Sequence, residues 1–429
     1  MAPETRAGCL SIGGEARARQ GTPGIRARVL ASLRAQARVS PNRSMMQEQM
    51  KRLKPGYPAA RIVAPTVVER LASNLEQARE HGGGGFAQQP DARTVEAIID
   101  AAFWASLRRE EGHSPKISLA YVPPEEAGHA MVFERWLPLN PRDLARLAPA
   151  VEGPGTHLGV WYDGDSLRVW GTTRQVPTVC FVLEVVEPGL LVVKFRRGDE
   201  FDKYGTVAVL EGERIKVVDE EGASLPDCPS LLTALLSFEA PAPSAGPTNV
   251  LTQLAVSMRS HARGGSLLVV PGDGDRWHAS AARPILYTVT PFADLAELMR
   301  APAAERTRPA WREALRRSVD GVARLTAVDG ATVLNERYEL LAFGVKIVRK
   351  RGSARVERVT VTEPVVGNSS MVVDPSRLGG TRHLSAAQFV HDQRDALALV
   401  ASQDGRFTVF AWSPCENMVH AHRVETLLM

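Results

Sequence analysis

Short apolar runs with the character of buried strands alternate with amphipathic helices over the last third of the chain. A helix-period pattern follows Thr248, and similar patterns recur at Phe292–Arg300 and Trp311–Thr326. Helices interleaved with hydrophobic strands are typical of a mixed α/β domain built over a central mixed sheet. The sequence therefore predicts an α/β fold class for residues 248–429. The predicted strands are GGSLLVV, ILYTV, ATVL, ELLAFGVKIV, ALALVAS and RFTVFAW.

A β-rich region and a helical segment precede that domain. Leu158–Tyr162 and Leu167–Trp170 flank an Asp-Gly-Asp turn, a pattern that predicts a β-hairpin. Four more short strand-like runs follow at regular intervals, so residues 116–240 are predicted to form a β-rich domain. Residues 61–115 carry two helical patterns joined by the glycine run His81–Gly85. We interpret that run as a flexible connector, because no strand precedes it and no lysine follows it, as a phosphate-binding loop would require.

The segments around these domains are biased in composition. Residues 1–60 are rich in Arg and Ala and are predicted to be a disordered tail. The tail lacks the apolar run of a secretory signal, and the alternatives are an organelle transit peptide or a true start at Met45 or Met46. After a short helix predicted at Pro226–Phe238, the Pro/Ala-rich stretch EAPAPSAGPT is predicted to be a linker.

Charge and cysteine content exclude several classes of protein. The chain has a formal net charge of +4, but residues 1–44 alone carry +6, so the remainder sums to −2 and has no basic footprint for nucleic acid. The four cysteines are far apart, with no Cys-x-x-Cys pair, which indicates neither a zinc site nor a disulfide framework. The best apolar run, Thr178–Phe195, is interrupted by charges and proline, so no membrane span is predicted. We therefore expect a cytoplasmic protein without nucleic-acid or membrane partners.

Three motifs of the predicted α/β domain carry side chains suited to nucleotide chemistry. Asp329–Ala331 (Asp-Gly-Ala) places a carboxylate before two small residues that let a ligand approach the backbone. Gly379–His383 places Thr, Arg and His behind two glycines, ahead of a helix predicted to begin at Ser385, and helix starts favour anions. Ser402–Gly405 places polar groups at the end of a predicted strand. Together they supply the minimum for phosphoryl transfer, where catalysis is mostly positioning and charge stabilisation.

The order of these motifs resembles the diadenylate cyclase (DAC) domain of DisA-type proteins. That family carries Asp-Gly-Ala, then Gly-Thr-Arg-His-Arg, then a strand that ends in Ser and polar residues, and the resemblance covers the chain from about Thr248 to the C-terminus. It implies an enzyme, a nucleotidyltransferase that condenses two ATP molecules into cyclic di-AMP and pyrophosphate, with Mg²⁺ or Mn²⁺ as cofactor. Since one DAC domain presents one ATP, it also implies a homodimer or higher assembly through facing domains. The β-rich region resembles the sensor modules that some members carry upstream, and its ligand is left open.

The resemblance implies a role for each matching residue. Asp329 is expected to hold the divalent metal and to help activate the attacking ribose 3′-hydroxyl, with His383 and Asp404 near the same metal. Thr381, Arg382 and His383 are expected to bind the triphosphate. The other implied nucleotide contacts are the backbone at Gly330, Ala331 and Gly380, then Ser385, Ser402 near the adenine and Ile347 against the base.

Departures from the family pattern leave two functions open. Leu384 stands where the family has its second arginine, so one contact to the leaving pyrophosphate is missing. Gln403 and Asp404 stand where many members have two glutamates. The basic run Arg349–Arg351 is a candidate substitute cation, although a solvated hairpin is the favoured interpretation. The chain is therefore either a sensor-controlled cyclase or a degenerate DAC-like domain that binds and senses a nucleotide without turnover.

Two further features are interpreted as structural. His420 and His422 lie two residues apart, and without a third ligand in view they are predicted to be surface histidines. Pro271–Trp277 is rich in Asp and Gly but lacks the spacing of a calcium-binding EF-hand, so it is predicted to be a turn.

Overall fold

The computed structural model describes residues 56–80, 84–153, 155–198, 204–219, 249–272, 275–285, 293–306 and 308–429. The predictions for residues 1–55, for the helix Pro226–Phe238, for Thr248 and for most of the ILYTV strand lie outside these ranges. Residues from Tyr57 to Met429 belong to one unit of the fold.

The first part of this unit contains three helices and an eight-stranded sheet, here called the first sheet. Its strands lie in the order β2-β4-β3-β1-β5-β6-β7-β8. All neighbours in it are antiparallel except β1 and β3, which run parallel with Leu119 opposite Leu158. The elements are α1 (Pro58–Glu80), α2 (Ala92–Ser106), β1 (Ile117–Tyr121), β2 (Met131–Pro138), α3 (Pro141–Leu147), β3 (His157–Asp163), β4 (Ser166–Thr173), β5 (Phe181–Glu187), β6 (Leu190–Arg196), β7 (Tyr204–Glu211) and β8 (Arg214–Val217).

The two long helices and the first sheet share one hydrophobic core. Leu71 of α1 and Ile98 of α2 are fully buried in the same cluster as Phe181 of the sheet. Helix α1 begins at Pro58, just inside the segment that the sequence assigns to the tail, because Tyr57 is buried and its ring stacks on Phe103 with centroids 3.6 Å apart. The predicted helical segment and β-rich region therefore pack as one structure.

The second part of the unit is built on a nine-stranded sheet, here called the second sheet. Its strands lie in the order β10-β12-β11-β9-β15-β16-β17-β13-β14. The elements are α4 (Val250–Ser260), β9 (Gly265–Val270), β10 (Ala281–Ala282), α5 (Asp294–Arg300), α6 (Ala303–Arg306), α7 (Pro309–Leu325), β11 (Ala331–Asn335), β12 (Leu340–Ile347), β13 (Val359–Thr362), β14 (Met371–Val373), α8 (Thr381–Asp392), β15 (Leu397–Ala401), β16 (Phe407–Ser413) and β17 (Met418–Arg423).

Helices cover both faces of the second sheet. On one face, Leu254 of α4 and Leu315 of α7 pack with Leu399 of β15 in a single apolar cluster. On the other face, Phe389 of α8 packs with Phe410 of β16. Mixed parallel and antiparallel strands with helices on both sides confirm the predicted α/β fold class.

The prediction that His420 and His422 lie on the surface was wrong. Both side chains are buried, because β17 lies between β16 and β13 rather than at the edge of the sheet. His420 Nε2 lies 2.8 Å from Glu416 Oε2, and His422 Nδ1 lies 2.7 Å from Thr362 Oγ1. Burial lowers the pKa of His422 to about 3, so its imidazole is neutral.

The two sheets meet at a junction formed by the end of β8 and the segment after β13. Val218 and Val365 form an antiparallel β-bridge, flanked by hydrogen bonds from Asp219 N to Pro364 O (3.0 Å) and from Val366 N to Val217 O (2.9 Å). Lys216 of β8 lies beside this bridge. Its Nζ is 2.6 Å from Glu363 Oε1 and 3.8 Å from Glu425 Oε1. Backbone pairing and ion pairs therefore connect the first sheet directly to the second.

Candidate functional site

The three sequence motifs lie at one edge of the second sheet. Strands β9 and β11 are parallel and begin at this edge, so Asp329 lies immediately before β11 there. Strand β15 is antiparallel to β9 and ends at the same edge, with Ala401 opposite Gly265. The turn Ser402–Arg406, which joins β15 to β16, therefore lies beside the start of β9.

The carboxylate of Asp329 is almost fully exposed and paired with a lysine. Its side chain is 92% exposed, and Oδ2 lies 2.6 Å from Nζ of Lys346 on β12. The hydrogen bond and charge of Lys346, with a smaller contribution from Arg382, lower the pKa of Asp329. Asp329 is thus a carboxylate at neutral pH. Sequence reasoning missed Lys346, because its position beside Asp329 depends on the β11–β12 register, in which Ala331 faces Val345.

Gly330 allows the backbones of β11 and β12 to approach closely. Its φ is +120°, and a Cβ atom at this position would lie 2.4 Å from the carbonyl carbon of Gly344. Ala331, the next residue, is buried in the sheet. The Asp-Gly-Ala motif therefore has a structural requirement for its glycine, independent of any nucleotide.

Helix α8 begins at Thr381, four residues before the predicted start at Ser385. Gly380 is the N-cap in an extended conformation, with no side-chain cap. Thr381 and Arg382 are exposed, whereas Leu384 and Ser385 are half-buried. The prediction failed because Ser385 has the composition of an N-cap, while the true cap is a glycine that accepts the first helical hydrogen bonds through its carbonyl, His383 N to Gly380 O at 3.0 Å. The Thr-Arg-His triplet consequently forms the first turn of the helix itself, where backbone N–H groups lack helical partners.

Arg382 connects the helix start to the other two motifs. A Cβ atom on Gly264 would lie 3.0 Å from Arg382 Nη1 and 3.3 Å from Gln403 Cγ, so the guanidinium lies against the start of β9 and the Ser402–Arg406 turn. Its charge also helps to lower the pKa of Asp329. Arg382 is therefore the cation common to all three motifs.

His383 faces inward rather than toward solvent. Its side chain is buried, its ring contacts Phe410 edge-on with centroids 6.1 Å apart, and Nε2 has no hydrogen-bond partner among the described residues. Burial lowers its pKa, and Arg423, Arg406 and Arg382 act in the same direction against the opposing charge of Asp404. The imidazole is therefore neutral at physiological pH and has one buried nitrogen available for a ligand atom.

The Ser402–Arg406 turn is held by internal contacts. The Ser402 hydroxyl donates to Asp404, which lowers the pKa of Asp404, and Arg406 Nε lies 3.4 Å from Asp404 Oδ2. From the side of α4, Arg259 Nε donates to the Gly405 carbonyl at 3.0 Å. The turn is thus a defined wall of the site rather than a loose loop.

The candidate metal ligands do not form a preformed cage. Within the described part of the chain, no three His, Cys, Asp or Glu side chains come together as a group that could hold a metal ion. Asp329 is nevertheless open to solvent, and Mg²⁺ in nucleotide sites is commonly bound by one or two carboxylates together with the phosphates of the substrate. The donor set fits a metal that arrives with ATP and binds to Asp329, and it does not fit the set of Asp329, His383 and Asp404 as three protein ligands.

The remaining predicted residues lie further from this centre. Ile347 is half-buried at the end of β12, opposite Ala281, and packs on the same apolar cluster as α8. The basic run Arg349–Arg351 lies at the other end of α8, where Lys350 N donates to Asp392 Oδ2 at 2.8 Å. That end is about 17 Å along the helix axis from Thr381. The run therefore supplies no cation to the helix start, in agreement with the hairpin interpretation.

Comparison with known proteins identifies part of the N-terminal half. Residues 85–174 match the family model described as "Probable sensor domain DACNV". The match extends from the loop before α2 to the end of β4, so it includes a helix as well as four strands. The N-terminal half therefore contains a segment similar to a sensor domain, as expected, and the similarity begins upstream of the predicted boundary at residue 116.

The other comparisons add little. One solved structure, described as a "hypothetical membrane spanning protein from Bacillus cereus", is 16% identical over 44% of this chain and 71% of that chain, with a TM-score of 0.24. A TM-score of this size supports no argument about the fold. No curated protein matches the chain. Among the helices that the structure describes, none has both the length and the apolar character needed to cross a bilayer.

Proposed function

We propose that the chain is a diadenylate cyclase, which condenses two ATP molecules into cyclic di-AMP and two pyrophosphates under the control of its N-terminal sensor-like domain. The observation that carries the proposal is the meeting of three motifs at one sheet edge, with Arg382 adjacent to the other two. The motifs come from segments separated by about 50 and 20 residues, and their meeting is what a nucleotide site built from them requires.

The helix start is the proposed binding site for the triphosphate. The first N–H groups of α8 and the exposed guanidinium of Arg382 offer backbone and charge-assisted donors to phosphate oxygens. Ser402 and Ile347 flank the same edge and are the proposed neighbours of the adenine. His383 is positioned one residue inside the helix, where its buried nitrogen fixes the orientation of the first turn or accepts one ligand contact.

Asp329 is the proposed catalytic residue. It accepts the proton of the ribose 3′-hydroxyl as that oxygen attacks the α-phosphorus of the other ATP, and the bond to pyrophosphate breaks. A second, identical step closes the ring. A bound Mg²⁺ or Mn²⁺ would be held by Asp329 and would supply charge neutralisation at the phosphates. Because each domain presents one ATP, two chains must face each other for the reaction.

A second function is favoured by a specific pair of observations. Leu384 replaces a cation of the family pattern, and Lys346 occupies the carboxylate of Asp329. A domain with these two changes could bind ATP at the helix start and never turn it over. This nucleotide-sensing function is the alternative to the cyclase.

Control by the sensor-like domain is supported by the junction between the sheets. Lys216 of the first sheet contacts Glu363 and Glu425 of the second part. Three residues beyond Glu425, the Leu428 carbonyl accepts from Arg259 Nη1 at 3.0 Å, and the same guanidinium holds the Gly405 carbonyl of the site turn. A movement of β8 therefore has a short chain of contacts through which it can reach the site.

The decisive experiment is nucleotide turnover by the purified full chain. With ATP and Mn²⁺, we expect cyclic di-AMP and pyrophosphate, and Asp329→Asn is expected to abolish the product without unfolding the protein. Asp395→Asn is a matched control, because Asp395 is also exposed and paired with a basic side chain, Arg276 at 3.6 Å. Binding of ATP without any cyclic product, at protein concentrations where dimers form, would replace the cyclase with the nucleotide sensor.

A further inference from the structure

A cleft of about 770 Å³ opens on the part of the chain that resembles a sensor domain. Three loops and one arginine line it: residues 84–86 before α2, residues 125–128 after β1, residues 175–178 after β4, and Arg196 at the end of β6. Its volume lies within the range of small-molecule sites, about 300–1,000 Å³. The candidate nucleotide site shares none of these residues.

Hydrogen bonds between the loops hold this cleft open in one shape. Thr178 N donates to Gly85 O at 3.1 Å, and Ala87 N donates to Thr178 O at 2.9 Å. The residues of the glycine run that the structure describes therefore line a wall of the cleft, in contrast to the flexible connector predicted from the sequence. Fixed walls are the usual property of a ligand site, because little ordering entropy is lost when the ligand binds.

The third loop is fixed in the same way. Gly128 N donates to Gln175 O at 2.8 Å, and Thr173 Oγ1 donates to Gly128 O at 2.7 Å. A Cβ atom on Gly128 would lie 2.6 Å from Gln175 Oε1, so the close approach of these two loops requires glycine. All three loops are therefore part of one preformed structure.

Charges of both signs line the cleft without being paired. Glu125 and Glu126 are exposed carboxylates, and in the part of the chain that the structure describes neither they nor Arg196 belongs to an ion pair. Glu126 and Arg196 both act on the buried thiol of Cys180, whose pKa is raised by burial, opposed by Arg196 and reinforced by Glu126. The carboxylate and the guanidinium thus lie within electrostatic range of one sulfur atom, on the same side of the cleft floor.

We propose that this cleft binds a small zwitterion of the amino-acid or short-peptide class. An α-carboxylate matches the guanidinium of Arg196, which recognises planar anions, and an ammonium group matches Glu126 and Glu125. Phosphorylated ligands are disfavoured, since two carboxylates face the cleft against a single arginine. The volume exceeds that of a free amino acid and accommodates a dipeptide. The cleft is the sensing site, and its ligand differs in chemistry from ATP.

Binding to the full chain tests the proposal without reference to turnover. Thermal shift and calorimetry would screen the proteinogenic amino acids and their alanyl dipeptides, followed by the N-acetylated and the C-amidated forms of the best ligand. We expect saturable binding of zwitterions, and an affinity at least about tenfold weaker when either charge of the ligand is blocked. ATP is expected to bind independently of the zwitterion at the other site.

Charge-removing variants locate the binding. Arg196→Gln and Glu126→Gln are each expected to weaken binding by about tenfold or more, and Glu126→Gln changes an exposed side chain, so the fold is retained. Arg135→Gln and Glu134→Gln, both exposed on β2 outside the cleft, are matched controls with unchanged affinity. The proposal is overturned if no zwitterion binds at about 10 mM, if blocked ligands bind as well as free ones, or if binding survives both cleft substitutions. Loss of cyclase activity has no bearing on these outcomes.

Discussion

Replacing Lys216 with methionine is expected to weaken the junction between the two sheets. Lys216 is the only described cation that lies within 4 Å of both Glu363 and Glu425. Its side chain is 30% exposed, whereas those of the two glutamates are 15% and 9% exposed. Methionine keeps most of the apolar stem and removes the charge, so the variant isolates the electrostatic part of the contact.

The size of the effect follows from this intermediate burial. Removing one partner of a fully buried ion pair costs about 3–5 kcal/mol, whereas a surface pair contributes about 0–1 kcal/mol. Lys216 lies between these limits, so we expect a loss of about 2 kcal/mol in the free energy of unfolding. For a unit of this length, that loss corresponds to a melting temperature lowered by about 2–3 °C.

The effect should depend on pH in a defined direction. Burial raises the pKa of Glu425, and the nearby Lys216 opposes that rise. A carboxyl group with a raised pKa in the folded state stabilises the fold below its unfolded pKa and loses that contribution as pH rises through its folded pKa. Without Lys216 the folded pKa rises further, so the deficit of Lys216→Met should be small at acid pH and grow toward neutral pH.

The measurement is thermal and urea unfolding between pH 5 and 8, with two companion variants. Lys216→Arg keeps the charge and should behave like wild type. Glu425→Gln in the Lys216→Met background imitates the protonated carboxyl and should restore part of the stability at neutral pH. A Lys216→Met protein as stable as wild type at pH 8, or an equal loss in Lys216→Arg, would refute the assignment of this contact as an electrostatic link.

Three substitutions test the candidate site. Leu384→Arg should raise cyclic di-AMP formation by about tenfold in a turnover assay, since it restores a cation where charge gathers on the leaving group, and an unchanged rate would show that the leucine is not limiting. Lys346→Met removes the main cause of the lowered pKa of its aspartate partner, so the acid limb of the pH–rate profile should move to higher pH. Gly379→Ala would place a Cβ 2.5 Å from His383 Nδ1, and we expect a loss of about 1–3 kcal/mol in stability together with weaker ATP binding. Gly380→Ala meets no atom within 4 Å and should cost less, as both melting temperature and ATP titration would show.

The strands that sequence patterns predicted are those with continuous apolar runs. ALALVAS and RFTVFAW became β15 and β16, which are buried along their whole length. In contrast, β2 was not predicted because its exposed residues show no alternation, and β17 was not predicted because histidines interrupt it. Whether a polar strand is central or at an edge depends on pairing with distant strands, and this pairing leaves no local pattern.

The candidate site was predictable in its motifs but not in its contacts. Asp329, Arg382 and the Ser402–Arg406 turn were each recognised from local residues. The partner of Asp329 was not, because Lys346 is brought beside it by the register of two strands joined by a bulged pairing. The inward orientation of His383 also escaped prediction, since it follows from the start of α8 at Thr381 rather than at Ser385.

The contact between Lys346 and Asp329 does not by itself favour the nucleotide sensor over the cyclase. Both side chains are well exposed, and exposed ion pairs contribute little because water solvates each partner almost as well. A divalent cation that arrives with the phosphates can therefore displace the lysine easily, and the displaced ammonium group remains close enough to contact a phosphate oxygen. Leu384 offers no such exchange, because an apolar side chain can neither contact a phosphate nor become charged. The choice between turnover and binding alone therefore depends on Leu384, and Lys346 is a cation that the cyclase could use.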